Sequence, residues 1–177
     1  MSEENMIQDV NNDDDDNTGI AEFDVMIDSN ILYDYLISHA YTGASGLIGT
    51  CMGALGIIVF LCTHYTLYLI FGMVLIVYLP INLKIRSAQL VQMSDMYKKP
   101  FHYRLDKDGI TVSQDDQSSA AGWDSVTKVV STKQSIVIYT GKNNGSILPR
   151  KQFGDNLPAV IAVVAKYVEP SKMRIKY

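Results

Sequence analysis

The feature that most constrains the fold is a long block without charge. From Tyr35 through Leu83 the chain contains no Asp, Glu, Lys or Arg. A helix needs about 20 apolar residues to cross a bilayer. Gly43–Cys62 supplies one such run, Thr66–Leu83 supplies a slightly shorter second, and only Thr63–Tyr65 separates them with polar residues. The block therefore predicts a transmembrane helical hairpin with a very short outer turn.

Three other interpretations of this block are weaker. A hairpin buried in a soluble protein is disfavoured because a chain of 177 residues rarely carries so long an uncharged block. A signal peptide is disfavoured because the run starts far from Met1 and no basic segment precedes it. A single long span, with the N-terminus outside the cell, would leave Thr63–Tyr65 in the middle of the bilayer.

Charge is divided sharply between the two sides of the block. All 15 Lys and Arg lie at or after Lys84, whereas eleven of the 19 acids lie at or before Asp34. Basic residues near the ends of a span stay in the cytoplasm, and acids count little. Lys84 and Arg86 directly follow the second span, and the outer turn has no basic residue. We therefore predict a multi-pass protein of the cell (plasma or inner) membrane with both termini in the cytoplasm.

Small residues are concentrated in the first span. Gly49 and Gly53 form a GxxxG pair, and small residues let helix backbones approach closely in a membrane. We expect this pair to pack the first span on the second, and homodimerisation through the same face is the alternative. Cys51 and Cys62 also lie in this span, far apart along a helix, so they predict neither a disulfide nor a metal site.

The segment before the hairpin has two parts. Residues 1–18 are polar and acidic, and we predict disorder because they cannot bury enough apolar surface. Ile20–Ile27 alternates between apolar and polar residues, which predicts a half-buried strand. Asp28, Ser29 or Asn30 then caps a short amphipathic helix that leads into the membrane.

After the hairpin the periodicity changes from that of a helix to that of strands. A basic helical connector is expected to leave the bilayer and to stop at Pro100. Turn signals such as Asp108-Gly109 and Gly141–Gly145 then separate short alternating runs. Strands are predicted at Phe101–Leu105, around Ile110 and Val112, and at Ser118–Trp123, Val126–Thr132, Ser135–Thr140 and Ser146–Leu148.

A final amphipathic helix closes the chain. Asp155 or Asn156 caps it, its apolar stripe runs from Leu157 to Val168, and Glu169-Pro170 ends it. Seven antiparallel strands closed by one C-terminal helix are the pleckstrin-homology (PH) arrangement. We therefore predict an α+β membrane protein, in which a transmembrane helical hairpin is inserted after the first strand of a PH-like seven-strand sheet or barrel.

The predicted organisation has six parts. They are a disordered acidic tail (1–18), the first strand and a juxtamembrane helix (19–39), two transmembrane helices (40–83), a basic connector (84–100), a PH-like domain (101–170) and a basic tail (171–177).

The order and spacing of these motifs resemble a known family. The stretch FHYRLDKDGITVSQ…WDSVTKVV…IVIYTG…ILPRKQF is similar to the C-terminal domain of the YcxB-like family of bacterial membrane proteins. Those proteins also have a two-span hairpin before a domain that looks related to PH domains, and the resemblance extends over residues 20–168. It implies an architecture more than an activity. The residues that carry it are Phe101, Tyr103, Gly109-Ile110, Trp123, Ile138-Tyr139, Ile147–Lys151 and Phe153.

The sequence carries no motif for catalysis. It has no phosphate-binding glycine loop, no metal-spaced Cys/His cluster and no nucleophile motif. We therefore predict that the chain is not an enzyme and has no cofactor or metal. No fold or aromatic-basic pattern indicates nucleic-acid binding.

Basic residues are the predicted contact sites. Near a membrane surface each contributes about 1 kcal/mol of attraction to anionic lipid. We predict a membrane-anchored, cytoplasm-facing binding or scaffold module that contacts anionic lipid or a protein partner, with homo-oligomerisation as a further option. The alternative is an immunity or self-protection protein against a membrane-active toxin or peptide, which the neighbouring genes would reveal. The predicted contact residues are Lys84, Arg86, Lys98, Lys99, Arg150 and Lys151, the last two on a loop.

Overall fold

A computed structural model describes residues 21–141, 144–154 and 157–175. The predictions for the acidic tail, for the caps Asp155 and Asn156, and for the middle of the Gly141–Gly145 loop lie outside the described residues. The described part is α+β, with an apolar pair of helices and two four-stranded sheets. This coarse fold class agrees with the prediction.

The strands form two sheets of four strands each in the described part of the chain. The first has the order β1 (Ala21–Val25), β2 (Phe101–Leu105), β3 (Gly109–Gln114), β4 (Gln117–Gly122). The second has the order β7 (Gly145–Pro149), β6 (Ser135–Tyr139), β5 (Lys128–Ser131), β8 (Met173–Arg174). All neighbours are antiparallel except β5 and β8, which are parallel. Strand β8 lies in the segment that was expected to be a tail.

The strand before the hairpin pairs with the first strand after it. In the register of β1 and β2, Phe23 lies opposite Tyr103. The predicted alternation holds, because Phe23 and Val25 pack in the core whereas Glu22 is exposed and meets Arg104 at 3.3 Å. The hairpin is therefore inserted between two neighbouring strands of one sheet, as predicted.

Three helices connect β1 to β2. Helix α1 (Ser29–Thr42) is capped by Asp28, whose Oδ1 accepts N–H bonds from the first turn at 2.8 Å. Helices α2 (Ala44–Thr63) and α3 (Thr66–Met93) are both long and apolar enough to cross a membrane. They meet at a two-residue turn, so the predicted apolar hairpin and its turn are confirmed.

Helix α3 is longer than its apolar part. Pro80 does not end the helix, which runs on to Met93, so the predicted helical connector continues the second apolar helix for most of its length. Proline removes one backbone hydrogen bond from a helix, which neighbouring packing can offset. The extension packs beside α1, and Ser87 at their contact is buried. A short 3-10 turn, Asp95–Lys98, then leads into β2.

The hydrophobic core lies between the two sheets and two helices. Helix α1 contributes Ile31 and Leu32, and helix α5 (Leu157–Tyr167) contributes Val160 and Val164. The predicted apolar stripe of the last helix is confirmed, because these valines are buried. Trp123 closes one end: it stacks on Tyr167 with ring centroids 5.3 Å apart and donates Nε1–H to the Asp106 carbonyl at 2.8 Å.

Candidate functional site

A groove of about 670 Å³ lies between α1 and the turn that joins β5 to β6. We call it the α1 groove. One wall is a stripe along α1, and the other is the β5–β6 turn together with the first residue of the short helix α4 (Arg150–Phe153). The side chains that define it are Tyr33, Ile37, Ser38 and Tyr41 on α1, Lys133 in the turn, and Arg150.

One hydrogen bond joins the two walls of the α1 groove, and a second holds the residues of one wall together. Asp34 is only 7% exposed. Its Oδ2 accepts the Gln134 N–H at 3.0 Å, which satisfies part of a carboxylate that would otherwise be costly to bury. The Gln134 carbonyl in turn accepts the Arg150 N–H at 2.8 Å. These bonds tie α1, the turn and α4 together, so the walls of the groove are fixed relative to one another.

Stacked aromatic rings hold the opposite side of α1 against the second sheet. Tyr35, His39 and Tyr139 stack with ring centroids 5.9 to 6.2 Å apart. Burial, and then the neighbouring Tyr35, raise the pKa of Tyr139 to about 12, so its hydroxyl stays neutral at physiological pH. Lys128 places its ammonium 4.5 Å from the centre of the Tyr139 ring. Helix α1 is thus anchored on one side and open to the groove on the other.

Two cations line the α1 groove. Lys133 is exposed and makes no ion pair with any residue that the structure describes. Arg150 is half-buried, and its Nη2 donates to the Ser131 hydroxyl, which holds the guanidinium beside β5. Hydroxyl groups on α1 and the apolar surface of Ile37 complete the lining. This combination suits a ligand that has both an anionic group and an apolar part.

The α1 groove runs toward the apolar hairpin. Tyr33, Ile37 and Tyr41 are spaced four residues apart, so they follow one face of α1 over about 12 Å at 1.5 Å per residue. Tyr41 lies two residues before Gly43, and α2 begins directly after that glycine. One end of the groove is therefore next to the start of the first apolar helix.

The six predicted contact residues lie on separate elements of the structure. Lys84 and Arg86 are exposed on α3 where its apolar part ends. Lys98 pairs with Asp95, and Lys99 pairs with Asp115, each at 2.6 Å and each exposed. Their charges are therefore partly balanced by neighbouring acids.

Arg150 and Lys151 lie in helix α4 rather than on the predicted loop. The chain turns directly after Pro149 because the Arg150 N–H bonds back to the β5–β6 turn and the Phe153 side chain is buried in the core. Only Arg150 lines the α1 groove, whereas Lys151 points its exposed side chain elsewhere.

Of the two predicted packing glycines, Gly53 lies in the contact between α2 and α3 and Gly49 does not. A Cβ added at Gly53 would lie 2.9 Å from the Gly72 carbonyl oxygen, and one at Gly72 would lie 2.6 Å from the Gly53 oxygen. A Cβ at Gly49 would meet nothing within 4 Å. Close approach of α2 and α3 therefore depends on Gly53 with Gly72, and Gly72 carried no motif that singled it out.

The residues that sequence reasoning missed are those of the α1 groove. No motif in the sequence singles out Lys133 or Tyr33 as part of a site. The spacing of Tyr33, Ile37 and Tyr41 is a usable signal for a second helix face. Nothing local could place the turn beside it, because Asp34 and Gln134 are 100 positions apart.

Other polar clusters in the described residues are weaker candidates for a functional site. No group of three or more His, Cys, Asp or Glu there is placed to hold a metal ion. His102 lies 2.9 Å from Asp24, but this pair is exposed on the outer face of the first sheet. It links β1 to β2 across the strands and lines an open depression of about 290 Å³ that is smaller than the α1 groove.

Fold and site together define an α+β protein in which an apolar helical hairpin interrupts a domain of two sheets. Residues 105–163 match the model of a family described as YcxB-like protein. The match covers about a third of the chain, from the end of β2 into α5, and it confirms the predicted resemblance over that segment. No curated protein and no solved structure gives a significant match.

Proposed function

We propose that this chain is a membrane-anchored binding module with a cytoplasmic, PH-like domain. The observation that carries the proposal is the insertion of the apolar hairpin between β1 and β2. Because these strands are hydrogen-bonded neighbours, both ends of the hairpin must lie on one side of any membrane that it crosses. An anchor built into the sheet keeps the domain next to the bilayer without further attachment.

Charge supports the cytoplasmic side for the domain. Lys84 and Arg86 follow the apolar part of α3, and the turn at Thr63–Tyr65 has no basic residue. Such a distribution favours retention of the basic end in the cytoplasm. The cell membrane is the location that this arrangement fits.

The two-sheet architecture supports a PH-like domain. Two antiparallel-rich sheets enclose one core, and α5 packs its valines into it near the end of the chain. The α1 groove and the basic residues around it favour binding over catalysis, with anionic lipid or an acidic partner as the ligand class.

Cysteine labelling tests the topology. In a Cys51→Ala, Cys62→Ala background, Tyr65→Cys and Asp116→Cys place single thiols in the hairpin turn and in the β3–β4 turn. Tyr65 is 69% exposed and has an ordinary backbone conformation. We expect a membrane-impermeant maleimide to label Tyr65→Cys in intact cells and to label Asp116→Cys only after permeabilisation. Labelling of Asp116→Cys in intact cells would refute the cytoplasmic domain.

A further inference from the structure

We infer that the α1 groove binds the headgroup of a single phospholipid that carries one net negative charge. The lipid comes from the leaflet in which the hairpin begins. This inference rests on the proposed function, because it needs the hairpin in a membrane, and it replaces diffuse attraction by a defined site. The anionic phosphodiester would lie between Lys133 and Arg150, and the glycerol and first acyl carbons would lie along α1.

The charges in the groove select the ligand. Lys133 and Arg150 place two cationic groups in the lining of the groove, which also includes the Asp34 carboxylate. A phosphodiester without a cationic headgroup, as in phosphatidylglycerol, offers an anion to these two groups and adds no further cation. A zwitterionic phosphatidylcholine would place a third cation beside the two already present. Ammonium and guanidinium groups are the usual partners of phosphate oxygens.

The position of the groove selects a lipid over a soluble phosphate. Asp34 is ten residues before α2, so the cationic end of the groove lies at most about 15 Å along α1 from the first apolar helix. The headgroup layer on each side of a bilayer is about 5 to 8 Å thick. Lysine and arginine side chains can extend toward such a layer. Tyr41 lies at the membrane end of the groove, where tyrosine is favoured in membrane interfaces.

The shape of the groove also fits an amphiphile. Its α1 wall alternates hydroxyl groups with the apolar surface of Ile37, and the cations lie on the opposite wall. A free phosphate would use only the polar half. The Asp34–Gln134 and Gln134–Arg150 bonds already hold the lining residues in place. Binding of a headgroup would therefore cost little conformational entropy in the protein.

Native mass spectrometry of the intact protein tests the inference. The protein is purified in non-ionic detergent and titrated with phosphatidylglycerol or with phosphatidylcholine of the same acyl chains. We expect one phosphatidylglycerol to be retained about tenfold more tightly than phosphatidylcholine. Lys133→Ala should weaken phosphatidylglycerol binding about tenfold, because it removes a charge-assisted hydrogen bond. Lys133→Arg keeps the positive charge and should bind phosphatidylglycerol as the wild-type protein does.

Lys151→Ala is the matched control. It removes the same charge from an exposed lysine that follows Arg150 directly, but Lys151 does not line the groove. It should leave lipid binding unchanged. Ser38→Trp is a second variant that keeps every charge and fills the groove, and it should abolish the preference for phosphatidylglycerol. Thermal unfolding of each variant in the same detergent checks that it is folded.

Three results would overturn the inference. Equal losses in Lys133→Ala and Lys151→Ala would show a diffuse basic surface, which leaves the proposed function intact. Equal retention of the two lipids by the wild-type protein would show that the groove does not select charge. Displacement of phosphatidylglycerol by inorganic phosphate at the same concentration would assign the groove to a soluble anion. Failure of the proposed function is seen separately, in the labelling of Tyr65→Cys and Asp116→Cys.

Discussion

The hairpin and the domain use the same apolar residue types in opposite ways. In the hairpin Leu61 is 64% exposed, whereas in the domain Leu105 is fully buried. Helices α2 and α3 touch through small residues, whereas the sheets and α1 enclose large ones. A soluble core is stabilised by removing apolar area from water. A hairpin in lipid gains nothing that way and depends on close packing of backbones. The contrast agrees with the proposal that the hairpin lies in lipid and the domain in water.

Removing the hairpin is expected to have the largest effect, because it changes whether the protein needs detergent to stay in solution. A variant in which a flexible linker of about ten residues joins Thr42 to Lys84 retains β1 and α1, which supply Val25, Ile31 and Leu32 to the core. We expect it to be soluble without detergent and to melt cooperatively. A fragment that starts at Phe101 lacks those residues and exposes a sheet edge, so it should aggregate.

Gel filtration and circular dichroism melts of the two proteins distinguish the outcomes. If the fragment from Phe101 melts as cooperatively as the linked variant, β1 and α1 do not belong to the domain. If the linked variant aggregates, the hairpin helices are part of a soluble core and the proposal that the hairpin lies in lipid is wrong.

A matched pair of leucine substitutions sharpens the comparison. Leu105→Ala creates a cavity in the domain and should lower its free energy of unfolding by about 2 to 5 kcal/mol. Leu61→Ala removes the same atoms from an exposed position of the hairpin and should change the domain's unfolding by less than about 0.5 kcal/mol. Urea melts of the full chain in non-ionic detergent, followed by the fluorescence of Trp123, measure both. Similar shifts for the two variants would contradict the difference in packing.

Glycine substitutions should have a smaller effect that is confined to the hairpin. Gly72→Ala places a methyl group against the backbone of α2 and should cost about 1 to 3 kcal/mol of helix association. Gly49→Ala meets no neighbour and should be neutral within the hairpin. The yield of crosslinking between cysteines introduced at facing positions of α2 and α3 measures how much helix association each variant loses. Gly49→Ala also tests whether a second copy of the chain packs on that face. If the substitution weakens self-association of the protein and leaves the α2–α3 crosslink unchanged, the result would indicate homodimerisation through Gly49.

Local patterns predicted the elements better than their assembly. Alternation in Ile20–Ile27 predicts β1, and the uncharged block predicts two apolar helices, because each signal lies within the segment that forms the element. That the extension of α3 packs beside α1 is contained in no local pattern. The pairing of the two-residue β8 likewise depends on β5, more than 40 positions earlier.

The site was predicted less well than the fold for the same reason. The sequence indicates a basic surface, and Arg150 was among its predicted residues. It could not show that α1 and the β5–β6 turn meet, since one bond between Asp34 and the Gln134 backbone closes a separation of 100 positions. Nor could it show that Lys98 and Lys99 lie beside acids that reduce their effect.

The pairing of β1 with β2 also sets an order of events during synthesis. About 80 residues separate the start of β1 from the end of β2, so at about 5 to 20 residues per second the first strand waits roughly 4 to 16 s for its partner. The hairpin emerges within that interval and must return the chain to the side on which β1 waits. A hairpin inserted as a single span would leave the two strands on opposite sides of the bilayer, and the sheet could never close. If the hairpin crosses a membrane as proposed, completion of the domain would therefore depend on correct insertion, and misinserted chains would be left with an open sheet for proteases to remove.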